Sequence, residues 1–282
     1  MRARPLAAAC AALLVAGLSG GGAGASEAGE PRRLSFDYEV YVGGINAIKL
    51  GFDAVLERAR YDMGMRLATQ GVAGWMFDWK MTAESRGELR DGRVKPTLAR
   101  GDSIWRGKSR KLHIEYGPDG AVLARTDPPF DPEQREPVPP ALRAGTRDLP
   151  GALFSALRAI GRTGRCDHTE KVFDARRRYD LVLEHVGTDT LAPSDYSPYG
   201  GPATVCRLRV EMIAGRRLED DPDRRRAAAK YATVWLARVF EDAPPLPVRF
   251  QYELTLGSMT AYLKSATLDD AAGTPRSLAA RP

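Results

Sequence analysis

Cys166-Asp-His-Thr-Glu-Lys-Val-Phe-Asp-Ala-Arg-Arg-Arg-Tyr-Asp-Leu-Val-Leu-Glu184 decides how this chain is read. Two short strand-like runs, Lys171 to Asp174 and Arg178 to His185, meet at Asp174-Ala175, and such a pair about a tight turn predicts a β-hairpin. The stretch opens on Cys166, whose candidate partner is Cys206 in the later run Val205 to Ala214. A bridge between them would tie the hairpin to that strand; two unpaired buried thiols are the alternative. No residue of the stretch falls in a catalytic pattern.

The cysteine reading depends on compartment. Arg2 and Arg4 precede an apolar run from Leu6 to Leu18, which is followed by glycines and Ala23-Gly-Ala25. That order is the pattern of a secretory signal, so residues 1–25 are expected to be removed, with cleavage near Ala25, and the rest exported. The apolar run is shorter than the ~20 residues a membrane span needs. Cys10 lies inside it and no cysteine marks the cleavage point, so a lipid anchor is not expected. Removal of the signal leaves Cys166 and Cys206, and an even count in an exported chain favours a disulfide. Closing a loop of that length is worth about 4 kcal/mol on the chain-entropy model.

The formal charge is +6, from 42 basic and 36 acidic residues; without Arg2 and Arg4 it becomes 6 − 2 = +4. The basic residues are scattered apart from Arg176-Arg177-Arg178 and Arg224-Arg225-Arg226, with no basic face carrying interleaved aromatics. Nucleic acid is therefore not an expected partner, whereas an anionic lipid or glycolipid surface is compatible.

Leu34, Phe36, Tyr38, Val40 and Val42 alternate with polar residues, as in a half-buried strand. Gly43-Gly44 is a hairpin signal, after which Ile45 to Leu56 and Tyr61 to Thr69 extend a meander. Trp75, Phe77, Trp79 and Met81 would share one face if they lie on a strand. With Trp105 they are candidate lining for an apolar ligand; ordinary core packing and a helical turn are the competing readings. Leu98 to Trp105, Lys108 to Tyr116 and Ala121 to Thr126 read as further strands between turns. Asp127 to Pro140 is too proline-rich for a central strand and is expected to cross, exposed, between two halves of the sheet.

One helix is predicted from Asp148, with Pro150 in its first turn, Leu153, Leu157 and Ile160 on one face, and Gly161 and Gly164 at its end. Later strands are expected at Val205 to Ala214, Tyr231 to Phe240, Val248 to Leu256 and Met259 to Leu268, then a disordered tail over 269–282.

Chemistry is sparse. His113, His168 and His185 have no metal-ligand spacing, and there is no nucleophile elbow, phosphate loop or dinucleotide fingerprint. No cofactor, metal or catalytic residue is expected. Arg176, Arg177 and Arg178 are candidate anion contacts for a phosphate or sugar acid, with Arg177 pointing opposite to its neighbours if the strand alternation holds; a charged edge that blunts strand pairing is the plainer explanation.

Phe36-Asp-Tyr-Glu-Val-Tyr with Gly43-Gly44, Pro137-Val-Pro-Pro, Asp148-Leu-Pro, Val172-Phe-Asp-Ala-Arg-Arg-Arg-Tyr-Asp-Leu between the cysteines, Cys206-Arg and Ala214-Gly215 together resemble the exported bacterial proteins grouped as domain of unknown function 3108. The resemblance spans Leu34 to Leu268 and departs from the expected pattern at Ala175, where a primed turn favours glycine. It implies a Gram-negative periplasmic protein without established catalytic residues. By analogy the fold looks akin to the curled sheets of lipoprotein carriers and envelope-stress sensors, which wrap a helix and bind acyl chains or peptides.

The expected fold is thus mainly β: a single curved antiparallel sheet, a half-barrel or β-spiral, with one amphipathic helix across the concave face and one domain over 34–268. The expected function is non-catalytic holding of an apolar ligand, a lipid or acyl chain, in support of the cell envelope. A fully packed interaction module docking through the edge Met259 to Leu268, and an envelope hydrolase, are the rivals.

Overall fold

Leu34, Phe36, Tyr38 and Val40 are buried while Ser35, Asp37 and Glu39 are not, and that period of two makes β1 (Arg32–Val42). Gly43 and Gly44, at φ 56° and 86°, turn the chain into β2 (Ile45–Leu56). A computed structural model describes residues 32–219, 231–254, 257–269 and 274–279. The expected signal, 1–25, and the Arg224 to Arg226 run lie outside these residues.

The first meander continues through β3 (Arg60–Thr69), a short α1 (Gly71–Met76), β4 (Trp79–Arg90), β5 (Arg93–Trp105), β6 (Lys108–Tyr116) and β7 (Val122–Asp127). After α2 (Pro140–Arg143) and α3 (Leu149–Thr163) come β8 (His168–Phe173), β9 (Arg178–Leu191), β10 (Gly201–Ala214), β11 (Ala232–Ala237), β12 (Leu246–Glu253), β13 (Ser258–Asp269) and β14 (Pro275–Ala279). Among the described residues these fourteen strands form one open antiparallel sheet, ordered β7-β6-β5-β4-β3-β2-β1-β13-β12-β11-β10-β9-β8, with β14 added to β13. The two meanders join where Phe36 faces Ala266 and Tyr38 faces Leu263.

The sheet curls so far that its two ends come together. Phe173 on β8 shares an apolar cluster with Ala99 on β5, Ile114 on β6 and, at the rim, Val122 on β7. Inside the curl, α3 touches β3, β4, β5 and β8. Asp148 caps it by accepting from the Gly151 amide at 3.0 Å, and Gly164 ends it in the left-handed region at φ 69°. Phe154 enters the main core beside Tyr61, their ring centroids 5.7 Å apart. The buried face holds Ala152, Phe154, Ala156 and Ile160, with Leu153 and Leu157 half-buried, a wider face than the sequence predicts because sheet lies on several sides of the helix.

The disulfide Cys166–Cys206 is formed, with its Cα atoms 5.8 Å apart and both residues fully buried. It links the chain entering β8 to β10, two strands away, across β9.

Two expectations are corrected. Met259 to Leu268 is no edge: β13 is flanked by β1 and β12, and the sheet ends are β7 and β8. The tail is not wholly disordered, because Pro275–Ala279 pairs with Ser265–Asp269 and Leu278 packs on the main core. Trp79–Arg90 is one long strand, masked in the sequence because Ala83, Ser85 and Gly87 on its inner face are small. They must be: a Cβ on Gly87 would stand 2.2 Å from the Lys95 carbonyl oxygen and 2.8 Å from the Tyr61 ring.

Candidate binding cleft

Where the curled ends approach each other, the concave face is not fully covered. α3 fills one part of it, and beside the helix N-terminus a cleft of about 680 Å³ remains open. Its apolar floor comes from the inner face of β3 to β6 (Met65, Met81, Ala83, Ala99, Leu112, Ile114), and Phe130 and Leu149 close its sides. The crossing segment after β7 forms one wall and the β8–β9 turn, residues 174–177, forms another.

The turn owes its shape to Asp174. Its Oδ1 accepts from the amides of Arg176 at 3.1 Å and Arg177 at 2.7 Å, and its Oδ2 accepts from Arg177 Nε at 2.7 Å. Ala175 takes the positive φ, 68°, that the sequence assigns to glycine-like geometry at this place. Arg176 Nη2 donates to the Pro128 carbonyl at 3.1 Å, which joins the turn directly to the crossing segment. Gly215 packs beneath: a Cβ there would lie 2.2 Å from the Arg176 carbonyl oxygen, and the Gly215 carbonyl itself accepts from Arg135 Nη1.

Arg110, Arg135, Arg176, Arg177 and Arg217 all line the cleft, with Arg100 and Lys111 further along; carboxylates are also present, Glu84, Asp102, Asp131 and Glu219 among them. Asp174 is spent on Arg177 and the turn amides. Burial and then the nearby cations Arg177 and Arg217 push the Arg135 guanidinium below its ordinary pKa. Burial and then Arg110 do the same to Arg176. Burial is the larger cause in both, and an anion beside these guanidiniums would offset it; Arg177, paired with Asp174, is raised instead.

At the base of the cleft sits a buried polar chain. Ser85 Oγ donates to Asp148 Oδ2 at 2.9 Å, and the Tyr61 hydroxyl lies 3.3 Å from Ser85 Oγ. Burial pushes the Asp148 carboxyl up to about 6, against the lowering effect of the Gly151 amide and Ser85. Among the described residues no three His, Cys, Asp or Glu side chains gather in a way that could hold a metal ion. His168 is instead bonded to Glu170, 2.6 Å away.

The arginine expectation is divided by the structure. Arg176 and Arg177 both line the cleft because both belong to the turn, before strand alternation begins. Arg178 does not: it starts β9, is buried, and pairs with Asp180 at 2.6 Å. The expected aromatic lining is corrected as a group. Trp75 lies on α1 and is 89% exposed, while Phe77, Trp79 and Trp105 pack on one another at the far end of the strands, outside the cleft. Arg110, Arg135 and Arg217 are far apart in the sequence, among scattered basic residues, and nothing local marks them as neighbours.

The class of protein is thus a curled, open antiparallel sheet wrapped on one capped helix, with a cationic cleft over an apolar floor. The chain belongs to the family described as protein of unknown function DUF3108, whose model matches residues 37–264. The crystal structure of a β-barrel-like protein of domain of unknown function DUF1849 from Brucella abortus is similar, with a TM-score of 0.45 and 11% identity over 86% of this chain and 98% of that one. A comparison with curated proteins returns no match.

Proposed function

We propose that this protein is a non-catalytic periplasmic holder of an anionic amphiphile, with the apolar chain on the inner face of β3 to β6 and the head group against Arg135 and Arg176. The observation that carries the reading is the juxtaposition, in one cleft of about 680 Å³, of a continuous apolar floor and an arginine wall. That volume lies in the range of ~300–1,000 Å³ typical of small-molecule sites. A guanidinium offers several fixed donors to a phosphate or carboxylate, which suits a head group better than a bare apolar chain would. Support of envelope integrity follows if the amphiphile is a lipid or its acyl fragment.

Mass spectrometry of organic extracts from protein purified out of the periplasm tests this. Stoichiometric recovery of a long-chain acid or phospholipid supports it. Absence of any bound chain, in protein that also fails to take up added lipid, rules it out.

A further inference from the structure

Away from the cleft, the end of the sheet built from the β1–β2 turn, α1 and the β5–β6 turn carries an apolar cap. On α1, Val72, Trp75 and Met76 are spaced three and four apart, so they share a face, and they are 61%, 89% and 59% exposed. Ile45 at the start of β2, which α1 touches, and Trp105, stacked on Phe77, are exposed at the same end.

This presentation is built rather than loose. Thr69 Oγ1 donates to the Phe77 carbonyl at 2.8 Å and accepts from the Trp79 amide at 3.0 Å, clamping the two ends of the α1 connection. Gln70 is bonded to Asn46 across the strand ends. Beneath the helix Phe77 stacks on Trp105, and Arg106 lies 5.2 Å from the Phe77 ring centre. A solvent-facing tryptophan held in this way marks an interaction surface, because exposed apolar patches are otherwise kept small.

Charge selects the partner. The three segments 42–49, 69–81 and 103–108 contain Lys49, Lys80, Arg106 and Lys108 against one acid, Asp78, which lies 3.5 Å from Lys80. Lysine is depleted in protein–protein interfaces, whereas tryptophan above a ring of basic side chains is the composition of a bilayer interface, where indoles sit at head-group level and cations meet lipid phosphates.

We infer that this cap docks the protein on the surface of an anionic lipid bilayer, with Val72, Trp75 and Met76 in the head-group region and Lys80, Arg106 and Lys108 on the phosphates. Docking is independent of what the cleft holds. It would set the molecule with the ends of β1 to β6 against the lipid.

The test is flotation of the protein, begun at Ser26 so that the run Leu6 to Leu18 contributes nothing, with phosphatidylglycerol or phosphatidylcholine vesicles. Binding to phosphatidylglycerol, weak binding to phosphatidylcholine, and a blue shift of tryptophan emission are expected. Trp75→Ala with Met76→Ser is expected to lower partitioning about tenfold. Lys80→Glu and Lys108→Glu are each expected to lower it about fivefold on phosphatidylglycerol alone. All four side chains are exposed, so circular dichroism should show folded variants. Failure to bind phosphatidylglycerol at low salt, or binding unchanged in Trp75→Ala with Met76→Ser, overturns the inference. So does a tryptophan-dependent rise in sedimentation coefficient without vesicle binding, which would assign the cap to a second copy of the chain.

Discussion

Arg147 Nη1 lies 2.7 Å from the Glu170 carboxylate, which is 2% exposed, and this pair fastens one end of the sheet to the other. Arg147 also donates through Nε to the Val94 carbonyl on β5 at 2.9 Å. Its backbone runs beside β8, the amide donating to Lys171 O and the carbonyl accepting from Phe173 N, both at 2.9 Å. One residue thus spans the gap between β5 and β8 that makes the sheet a curl and not a flat layer.

Arg147→Ala leaves the buried Glu170 with His168 as its remaining side-chain partner. Removing one member of a buried ion pair costs about 3–5 kcal/mol. The expected loss is near the lower figure, since Arg147 is partly exposed and His168 remains. Urea unfolding measures it; a change under about 1 kcal/mol would show that the clasp is not what closes the curl.

Asp148 makes stability fall with pH. Its folded pKa, raised to about 6 by burial, exceeds the unfolded value of about 3.9, so between the two the folded state binds more protons. Stability from this group therefore declines as pH rises from about 4 to about 6 and is level above that. Asp148→Asn keeps an oxygen for the Gly151 amide and removes the titration. Unfolding free energies from urea titration should coincide with the wild type near pH 4 and exceed it by about 3 kcal/mol at pH 7.5. Parallel pH profiles for the two proteins would contradict the assignment.

Cutting the Cys166–Cys206 bridge frees a loop of 40 residues, which is expected to cost about 4 kcal/mol. Denaturant titration with and without reductant, beside the Cys166→Ala/Cys206→Ala variant, checks it. Equal stability of oxidised and reduced protein would mean that the buried sulfurs contribute by packing alone.

The parts legible in the sequence are those encoded locally. The period of two in Leu34 to Val42, the Asp148 cap with Gly164 at the far end, and the hairpin about Asp174-Ala175 each depend on neighbours within a few residues. Trp79–Arg90 carries no clear signal because Ala83, Ser85 and Gly87 on its inner face are small, Gly87 to clear the Lys95 carbonyl and the Tyr61 ring, and smallness has no periodic signal. At Trp75 the sequence leaves strand and helical turn open, because aromatic spacing alone does not separate them, and the helix is what forms. The cleft was out of reach for another reason: Arg135 and Arg176 become neighbours only through Pro128 and Gly215, once the sheet has closed on itself.

Gly215 offers a way to move the arginine wall without touching its charges. Its φ of 84° and the 2.2 Å approach to the Arg176 carbonyl leave no place for a methyl group. Gly215→Ala should displace the β8–β9 turn, weaken binding of an anionic amphiphile, and cost about 1–2 kcal/mol of stability. Unchanged affinity in a folded Gly215→Ala protein would separate the turn from the site.

Calorimetric titration with dodecyl phosphate below its micelle concentration, set against inorganic phosphate and an uncharged dodecyl glycoside, tests the cleft most directly. One mole should bind per mole of protein, more tightly than either control, and Arg135→Ala or Arg176→Ala should each weaken it about tenfold by removing a charged hydrogen bond. Affinity indifferent to both arginines, or no heat at all from the alkyl phosphate, would contradict the account.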